Sequence, residues 1–555
     1  MKNLLGPLLV LTIATAPALA QHEVQCPFTS INTNITTNTT LSSSTIYRVE
    51  DCISVTNNAT LTIPAGTVVL FEKASGAGLT IEKGASLVVQ GTAMNPVVFT
   101  SDQEPSFRAP GDYSGLLING EATNNFTSNA MTTTARQCDV NAGGTDDDDN
   151  SGSIEFLRME FPEYGLTLAS VGRNTVLENI MVSYSNRNAF ECWGGTFTAR
   201  NLVAYNAGEN DFVFNYGNRS KVQGALGMRL DPAANSGTAP NSNGVLIANN
   251  DAGSSYSGTP QTHPILDKFT IIGPSYCGAT GLSSNFKNGV LQYHNASSGI
   301  YHFLIKGWNV GLRLEDAPTL VNATSTPPTL RFEGNSLAGY TTAYSHSGSW
   351  PSVLCATDMT NWMTNVGGCS QRFNEFSPGS FGYDASLCED FCDNNTPSFI
   401  MSDDDLDDTY YAEIAELDED DFFVASDFRG AFDETTDWTA DWTVFCPQDY
   451  DYCPAQKRTG GPMEIDEMNN SHINLTVSPN PATATTYAEF TTTREGEVTL
   501  SLVNSLGQLV RHLSMETTKG QQRIAVSTLG LSSGVYTLGI VFSDGTTAHT
   551  HLMIK

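Results

Sequence analysis

The chain has 555 residues, enough for two or three domains and a sizeable buried core. Its 27 Lys and Arg stand against 59 Asp and Glu, a formal net charge of −32, so it lacks the cationic surface that nucleic-acid binding requires. Charged residues are only 15% of the whole, while 48 glycines and runs of Thr, Ser and Asn describe strands and turns rather than amphipathic helices.

Residues 1–20, MKNLLGPLLVLTIATAPALA, set one Lys before a short apolar run and close on an A-x-A-like site, which reads as a secretory signal peptide. No later stretch is apolar enough to cross a bilayer as a helix, so no transmembrane segment is expected. Export implies an oxidising compartment, and the 11 cysteines then read as disulfides rather than metal ligands. Spacing suggests Cys388–Cys392, Cys446–Cys453 and Cys355–Cys369, with Cys26–Cys52 as a further pair. The odd count leaves a thiol over, assigned to Cys192 because it alternates with Phe190 in an inward-facing register. No histidine lies near enough to Cys388 and Cys392 to complete a zinc site.

LTIPAGTVVLF, from Leu61, and LTIEKGASLVV, from Leu79, set Leu61 over Leu79, Ile63 over Ile81 and Gly66 over Gly84. NIMVSYSNRNAF, from Asn179, and NLVAYNAGENDF, from Asn201, repeat after 22 positions. In the same pattern Leu168, Phe190 and Phe212 form one series, and Met159, Ile180 and Leu202 another. Such a period leaves no room for a helix and is too long for one strand of a meander. The expected solution is a right-handed parallel β-helix, each coil made of two or three short strands resting about 4.8 Å above the last. Weaker repeats follow at KFTIIG, NGVLQY and YHFLIKGWNVGLRL.

Polar stretches 101–112, 124–150 and 231–260 read as loops leaving this solenoid, and the longest irregular part runs from Glu315 to about Asp420. Residues 401–450 hold 17 acids against the single base Arg429. The last 83 residues differ in kind: five acids balance five bases, there is no cysteine, and runs such as EVTLSLVN and VYTLGIVF alternate as in a small antiparallel sandwich. The chain thus divides into a signal peptide at 1–20, an all-β passenger at 21–453, a linker at 454–472 and a C-terminal domain at 473–555.

The tail segments SPNPATATTYAEF, LVNSLGQLVRHL, LSSGVYTLGIVF and LMIK resemble the C-terminal sorting domain of bacterial type IX secretion cargo. The matching positions are Pro479, Asn480, Pro481, Gly507, Gly534, Val535, Tyr536 and Lys555. That resemblance implies passage through the periplasm and outer membrane by the type IX machinery, removal of the tail, and release or attachment to surface lipopolysaccharide. The passenger stretches NPVVFTSD, GDYSGLLING, DNSGSIEFLRMEF, NAFECWGG, FRGAF and DWTADWTVF resemble secreted or outer-membrane bacterial β-helix proteins of unassigned activity, with a pectin-lyase-like solenoid. Members of that group commonly carry a pair of aspartates before the FECWGG-like motif, where this chain has Asn186, Arg187 and Asn188.

Candidate chemistry is sparse. With Phe190 and Phe212 inward, Glu191 and Asp211 are expected to face outward on neighbouring coils, roughly 8 Å apart by strand geometry, a spacing compatible with inverting hydrolysis. Lys221, Arg158 and Arg313 are candidate bases or anion contacts for a lyase. The acidic run Asp146, Asp147, Asp148 and Asp149 suggests calcium, as do 403–408 and 418–421, although none has EF-hand spacing. Trp438, Trp442, Trp193, Trp308, Trp350 and Trp362 are candidate sugar platforms or packing residues. GLSSG at 530–534 has nucleophile-elbow spacing but sits in a turn of the tail without a supporting acid and histidine. The expected function is a secreted or surface-attached, noncatalytic adhesive or glycan-binding module with extracellular polysaccharide as a partner. The alternatives are a polysaccharide lyase or glycoside hydrolase on the same scaffold, and a structural surface-layer component.

Overall fold

The computed structural model describes residues 23–24, 26–126, 131–133, 138–230, 242–250, 256–353, 356–364, 373–377, 399, 414–425, 428–433, 435–453, 476–483, 485–492, 496–503, 509–529, 531, 534–542 and 547–555. It divides into two compact units, Met1–Gln456 and Lys457–Lys555. The expected signal peptide and linker lie outside the described residues.

In the first unit the strands stack in parallel, coil on coil. One sheet runs through ten strands, from Cys52–Val55 by way of Phe190–Trp193 and Phe212–Asn215 to Thr342–His346. Side chains alternate in and out of a strand, so parallel register places like on like. Ile53, Leu79, Leu116, Leu166, Phe190, Phe212, Val245, Val290 and Leu312 are successive partners in a single interior column. All are buried, and Phe190 stacks on Phe212 with ring centroids 5.2 Å apart. Each such side chain taken from water contributes about 1.5–3 kcal/mol.

The other two faces are made by long strands that bend. Gly152–Glu160, Val176–Ser183, Thr198–Tyr205, Lys221–Met228 and Ile265–Ile272 each change direction at one residue of positive φ: Phe156, Asn179, Asn201, Gly224 and Lys268. Asparagine tolerates this left-handed conformation better than other side chains. Here it also gains a partner, because Asn201 Nδ2 donates to Asn179 Oδ1 at 3.1 Å, one coil below. Above it a Cβ on Gly224 would stand 3.0 Å from Asn201 Oδ1 at a φ of +78°, so glycine suits that corner. We expect Asn201→Ala to lower stability by about 1–2 kcal/mol, combining a lost hydrogen bond with left-handed strain, read as a fall in the urea midpoint.

The parallel β-helix is as expected, but its register departs from the repeats read along the chain. Leu61 pairs with Leu87 and Ile63 with Val89, whereas Leu79 belongs to a different face, between Ile53 and Leu116. Leu166 rather than Leu168 underlies Phe190, and Leu157 rather than Met159 underlies Ile180. A slip of two residues keeps the same side of a strand and the same apolar pattern, so periodicity alone does not expose it. The stretch 231–260 contains a solenoid strand, Val245–Ala248. The part from Glu315 onward continues the coils through Leu330–Glu333, Ser336–Ala338, Thr342–His346 and Glu375–Ser377, with helix Ala317–Thr324, capped by Asp316, ahead of the first of them.

The disulfides also differ. Cys26 bonds Cys453 and Cys52 bonds Cys138, which replaces the expected Cys446–Cys453 and Cys26–Cys52 pairs. Cys446 and Cys277 are disulfide-bonded as well. Cys355, Cys369, Cys388 and Cys392 lie outside the described residues. Cys192 is free and buried, as its register implied, and burial pushes its thiol well up. Sequence spacing failed because the chain after the last coil runs back to the first one and brings Cys453 to Cys26.

The second unit consists of two antiparallel sheets. One joins Thr476–Ser478, Thr485–Thr492 and Gly520–Ser527; the other joins Leu509–Thr517, Gly496–Val503, Gly534–Phe542 and Thr547–Ile554. Phe490, Ile524 and Val526 from the first share a core with Leu500, Leu502, Leu538, Ile540 and Leu552 from the second.

Candidate functional site

The expected catalytic residues do not converge. Asp211 is fully buried rather than outward: its Oδ1 accepts a hydrogen bond from Arg229 Nε at 2.9 Å, and Arg229 is fully buried too. Arg229 also donates Nη2 to the Asn243 carbonyl at 2.8 Å, bonds Ser242, and sits over the Trp308 ring at 5.4 Å. Burial raises the Asp211 carboxyl to about 6, against the pull of Arg229. Glu191 lies one residue beyond Phe190 on the outer side of its strand, yet is only 5% exposed; Thr167 Oγ1 donates to it at 3.2 Å and Asn188 Nδ2 at 2.6 Å. Alternation along the strand was the right guide for Glu191. It misplaced Asp211 because Asp211 precedes the strand, in the corner of the coil.

The segment where aspartates would be expected is a structural ladder. Asn188 Oδ1 accepts from Asn210, Asn210 Oδ1 from Asn243, and Asn243 Oδ1 from Asn288, at 2.7–3.0 Å on successive coils. Asn186 and Arg187 both bind Glu163, and Arg187 reaches Glu209 at 2.9 Å.

The basic candidates are engaged by the chain's own return segment, residues 414–453. Its apolar part lies on the outer side of one solenoid face: Phe432, Trp442 and Phe445 pack with Met181, Val203, Tyr205, Leu226, Met228, Ile272 and Leu304. Trp442 meets Phe156 edge to face at 5.8 Å, and Phe445 meets Tyr205 at 5.0 Å. Arg158 is buried beneath, donating to the Trp442 carbonyl at 3.3 Å and to the Tyr452 hydroxyl at 3.0 Å. Tyr452 donates in turn to Glu160 at 2.5 Å, and Arg108 Nη1 holds the Pro447 and Tyr450 carbonyls at 3.0 and 2.7 Å.

The first limb of the segment is gripped by polar groups. Lys221 pairs with Asp420, and Gln223 exchanges two hydrogen bonds with the Val424 backbone. Lys268 Nζ reaches the same Val424 carbonyl at 3.1 Å, and the Arg200 guanidinium lies 4.4 Å over the Phe422 ring. Glu416 meets Tyr301, Arg331 and His263, and the His263 hydrogen bond leads in holding its carboxyl below the usual range. Part of the strong local acidity of 401–450 is thus met by cations of the solenoid. These contacts pair residues 85 to 222 positions apart, and no local motif announces them. The remaining base, Arg313, binds Glu315 and Ser345 at 3.1 Å.

The acidic run has partners of its own. Asp147 accepts from Thr123 and pairs with Arg219 at 2.9 Å, Asp148 pairs with Arg173 at 3.0 Å, and Asp149 accepts from Ser151 and the Gly172 N–H. Among the described residues no group of three His, Cys, Asp or Glu side chains is placed to hold a metal. Residues 403–408 lie outside the described set. Trp308, Trp362 and Trp442 are fully buried; Trp350 and Trp438 donate to the Ala356 and Ala431 carbonyls. Trp193 is half-buried, edge to face with Tyr216 at 5.9 Å.

The remaining outer surface of the first long-strand face bears two columns. One runs Thr62, Val88, Ser153, Val176, Thr198 and the other Pro64, Gln90, Glu155, Glu178, ending where Arg200 meets the return segment. Gln90 and Glu155 are exposed, and Val176 is 42% exposed.

In the second unit the tail motif is a clamp. Asn480 Oδ1 accepts the Met553 N–H at 2.8 Å, Ala482 N–H donates to the Met553 carbonyl at 2.8 Å, and Lys555 N–H donates to Ala482 at 2.9 Å. Asn480 and Ala482 thereby tie the chain beyond the first sheet's Thr476–Ser478 strand to the last strand of the other, while the Pro479 carbonyl accepts from Thr486 Oγ1 at 2.9 Å. Gly534 and Val535 open the strand that pairs with it, and Tyr536 is buried opposite Leu552; Gly507 lies outside the described residues. Asn480→Ala should cost this unit about 1 kcal/mol and speed exchange of the Met553 amide, measurable by hydrogen exchange.

A stacked parallel coil followed by a separate antiparallel unit defines a two-part protein. Residues 33–378 match the pectate-lyase-like β-helix domain, more than half of the chain, and the chain belongs to that family. Residues 476–555 match the secretion system C-terminal sorting domain, which makes the protein type IX cargo directed to the cell surface or extracellular space. No curated protein matches it. Among solved structures it is similar to the enzymatically active domain of bacteriophage CBA120 tailspike protein 2, at 10% identity and a TM-score of 0.28, over 92% of this chain and 72% of that one. No helix among the described residues is long and apolar enough to cross a membrane.

Proposed function

We propose that the passenger is a noncatalytic adhesive or glycan-binding module that uses the uncovered part of the first long-strand face. The supporting observation is the pair of outer columns from Thr62 and Pro64 to Thr198 and Glu178. Hydroxyl, amide and carboxylate groups recur there once per coil, about 4.8 Å apart on a rigid scaffold, with Val176 as an apolar contact. A fixed repeat of donors and acceptors matches the repeated hydroxyls of a polysaccharide, and rigidity reduces the entropy lost on binding. The candidate catalytic groups Asp211 and Lys221 are meanwhile held in ion pairs.

A glycan array with the full chain tests this. Val176→Arg and Glu155→Ala together should weaken any hit at least tenfold while leaving stability within about 0.5 kcal/mol, as for surface changes. Release of reducing ends or unsaturated products by the native protein, abolished by Glu191→Gln or Lys221→Met, would replace this reading with a hydrolase or lyase. Binding untouched by the face variants would move the site elsewhere. Calorimetry with calcium tests the acidic run separately, and heat of binding lost in Asp147→Asn would reinstate an ion there.

A further inference from the structure

We propose that a thiol–disulfide isomerase, a partner carrying a reduced reactive dithiol, must act on this passenger during export. The inference rests on connectivity. The first cysteine of the chain is bonded to the last, Cys26 to Cys453 across 427 positions, and Cys52 is bonded to Cys138 across 86. Cys192, the next in order, remains a free thiol inside the coil.

A chain delivered from its N-terminus presents Cys26 and Cys52 first, then Cys138 and Cys192. Loop-closure entropy favours the shorter loops, so oxidation as the cysteines arrive joins Cys26 to Cys52 and Cys138 to Cys192. Both pairs are non-native. The native partner of Cys26 comes into reach only after the coils are wound, because the segment bearing Cys453 docks on several of them at once through Trp442, Phe445 and Tyr452. Cys192 adds a deadline: its column partners Leu168 and Phe214 enclose it, so a wrong bond there must be opened before the coil closes.

The repair balances without net redox change. The isomerase dithiol first opens Cys138–Cys192: one thiolate attacks Cys192 Sγ and frees the Cys138 thiolate, and the second resolves the mixed disulfide, leaving Cys192 a thiol and the isomerase a disulfide; the Cys138 thiolate then attacks Cys52 Sγ in the Cys26–Cys52 bond, forming Cys52–Cys138 and freeing the Cys26 thiolate. The last bond closes by the reverse exchange: the Cys26 thiolate attacks the isomerase disulfide, and the Cys453 thiolate attacks Cys26 Sγ in the mixed disulfide, forming Cys26–Cys453 and returning the isomerase dithiol.

The test is secretion of the full chain into a bacterial periplasm with and without the host's disulfide isomerase, followed by non-reducing peptide mapping. Without the isomerase, Cys26–Cys453 should fall at least fivefold and Cys26–Cys52 and Cys138–Cys192 peptides should accumulate. A variant that keeps only Cys26 and Cys453, with Cys192→Ala and the other eight cysteines changed to Ser, removes the competitors and should form Cys26–Cys453 equally well in both hosts. Equal native pairing of the unaltered chain in both hosts would overturn the proposal. So would that two-cysteine variant, folded by circular dichroism, if it still needs the isomerase.

Discussion

Replacing Arg229 with Met should destabilise the passenger by about 3–5 kcal/mol, the cost of leaving a buried carboxylate without its cation. Asp211 and Arg229 are both fully buried, and Asp211 Oδ2 has no hydrogen-bond partner among the described residues, so nothing there replaces the guanidinium. The deficit should depend on pH with a definite sign. Burial raises the Asp211 carboxyl to about 6, above its ordinary value near 4, so the folded protein holds this proton more tightly than the unfolded chain. The group's contribution to stability is therefore fully present below about pH 4 and lost as pH rises through 6. Removing the arginine raises the carboxyl further, so the variant should be weakest at pH 8 and recover on acidification to pH 5. Arg229→Met with Asp211→Leu should regain most of the loss, because an apolar pair of similar volume needs no charge compensation. Urea midpoints of the two variants at pH 5 and pH 8 measure this. Equal deficits at both values would mean that Asp211 is not ionised in the native protein at neutral pH.

The solenoid was legible because parallel register repeats like over like: Ile180 over Leu202 and Phe190 over Phe212 are neighbours in sequence pattern and in space. The tail was legible for a different reason, since its motif residues act locally, Asn480 on the last strand and Tyr536 in the core. Long-range pairing left no such trace. Gln223 with Val424, Arg158 with Tyr452 and Cys26 with Cys453 depend on the chain doubling back along the solenoid, and polar residues spaced by hundreds of positions carry no period. The asparagines held an unread signal. Asn179 and Asn201, like Asn188 and Asn210, recur at the 22-residue interval, and such recurrence at a turn marks a hydrogen-bonded ladder inside the coil. Glu191 and Asp211 were grouped by spacing alone, which says how far apart two residues lie along a strand and not whether one of them has already turned into the corner.

Trp442→Ala should cost about 3–5 kcal/mol, the usual range for a large aromatic removed from a core. The indole is 1% exposed, touches Phe156, and donates to the Trp438 carbonyl at 2.7 Å. Its loss also loosens the cover over Met181, Val203, Leu226 and Ile272, apolar side chains on the outer side of a strand that would otherwise meet water. This explains why the return segment is built into the fold rather than hinged: uncovering that face exposes a continuous apolar stripe. Cleavage reports the opening directly, because Arg429 is the single Lys or Arg between 401 and 450 and is buried against Ser336 and Glu375. Trypsin should cut after Arg429 at least tenfold faster in Trp442→Ala than in the native protein. Cys453→Ser frees the far end of the same segment, so its effect combined with Trp442→Ala should be smaller than the sum, as for two changes that undo one contact surface. Unchanged cleavage in Trp442→Ala would mean that the polar grip of Lys221, Gln223 and Arg331 holds the segment without the aromatic contacts.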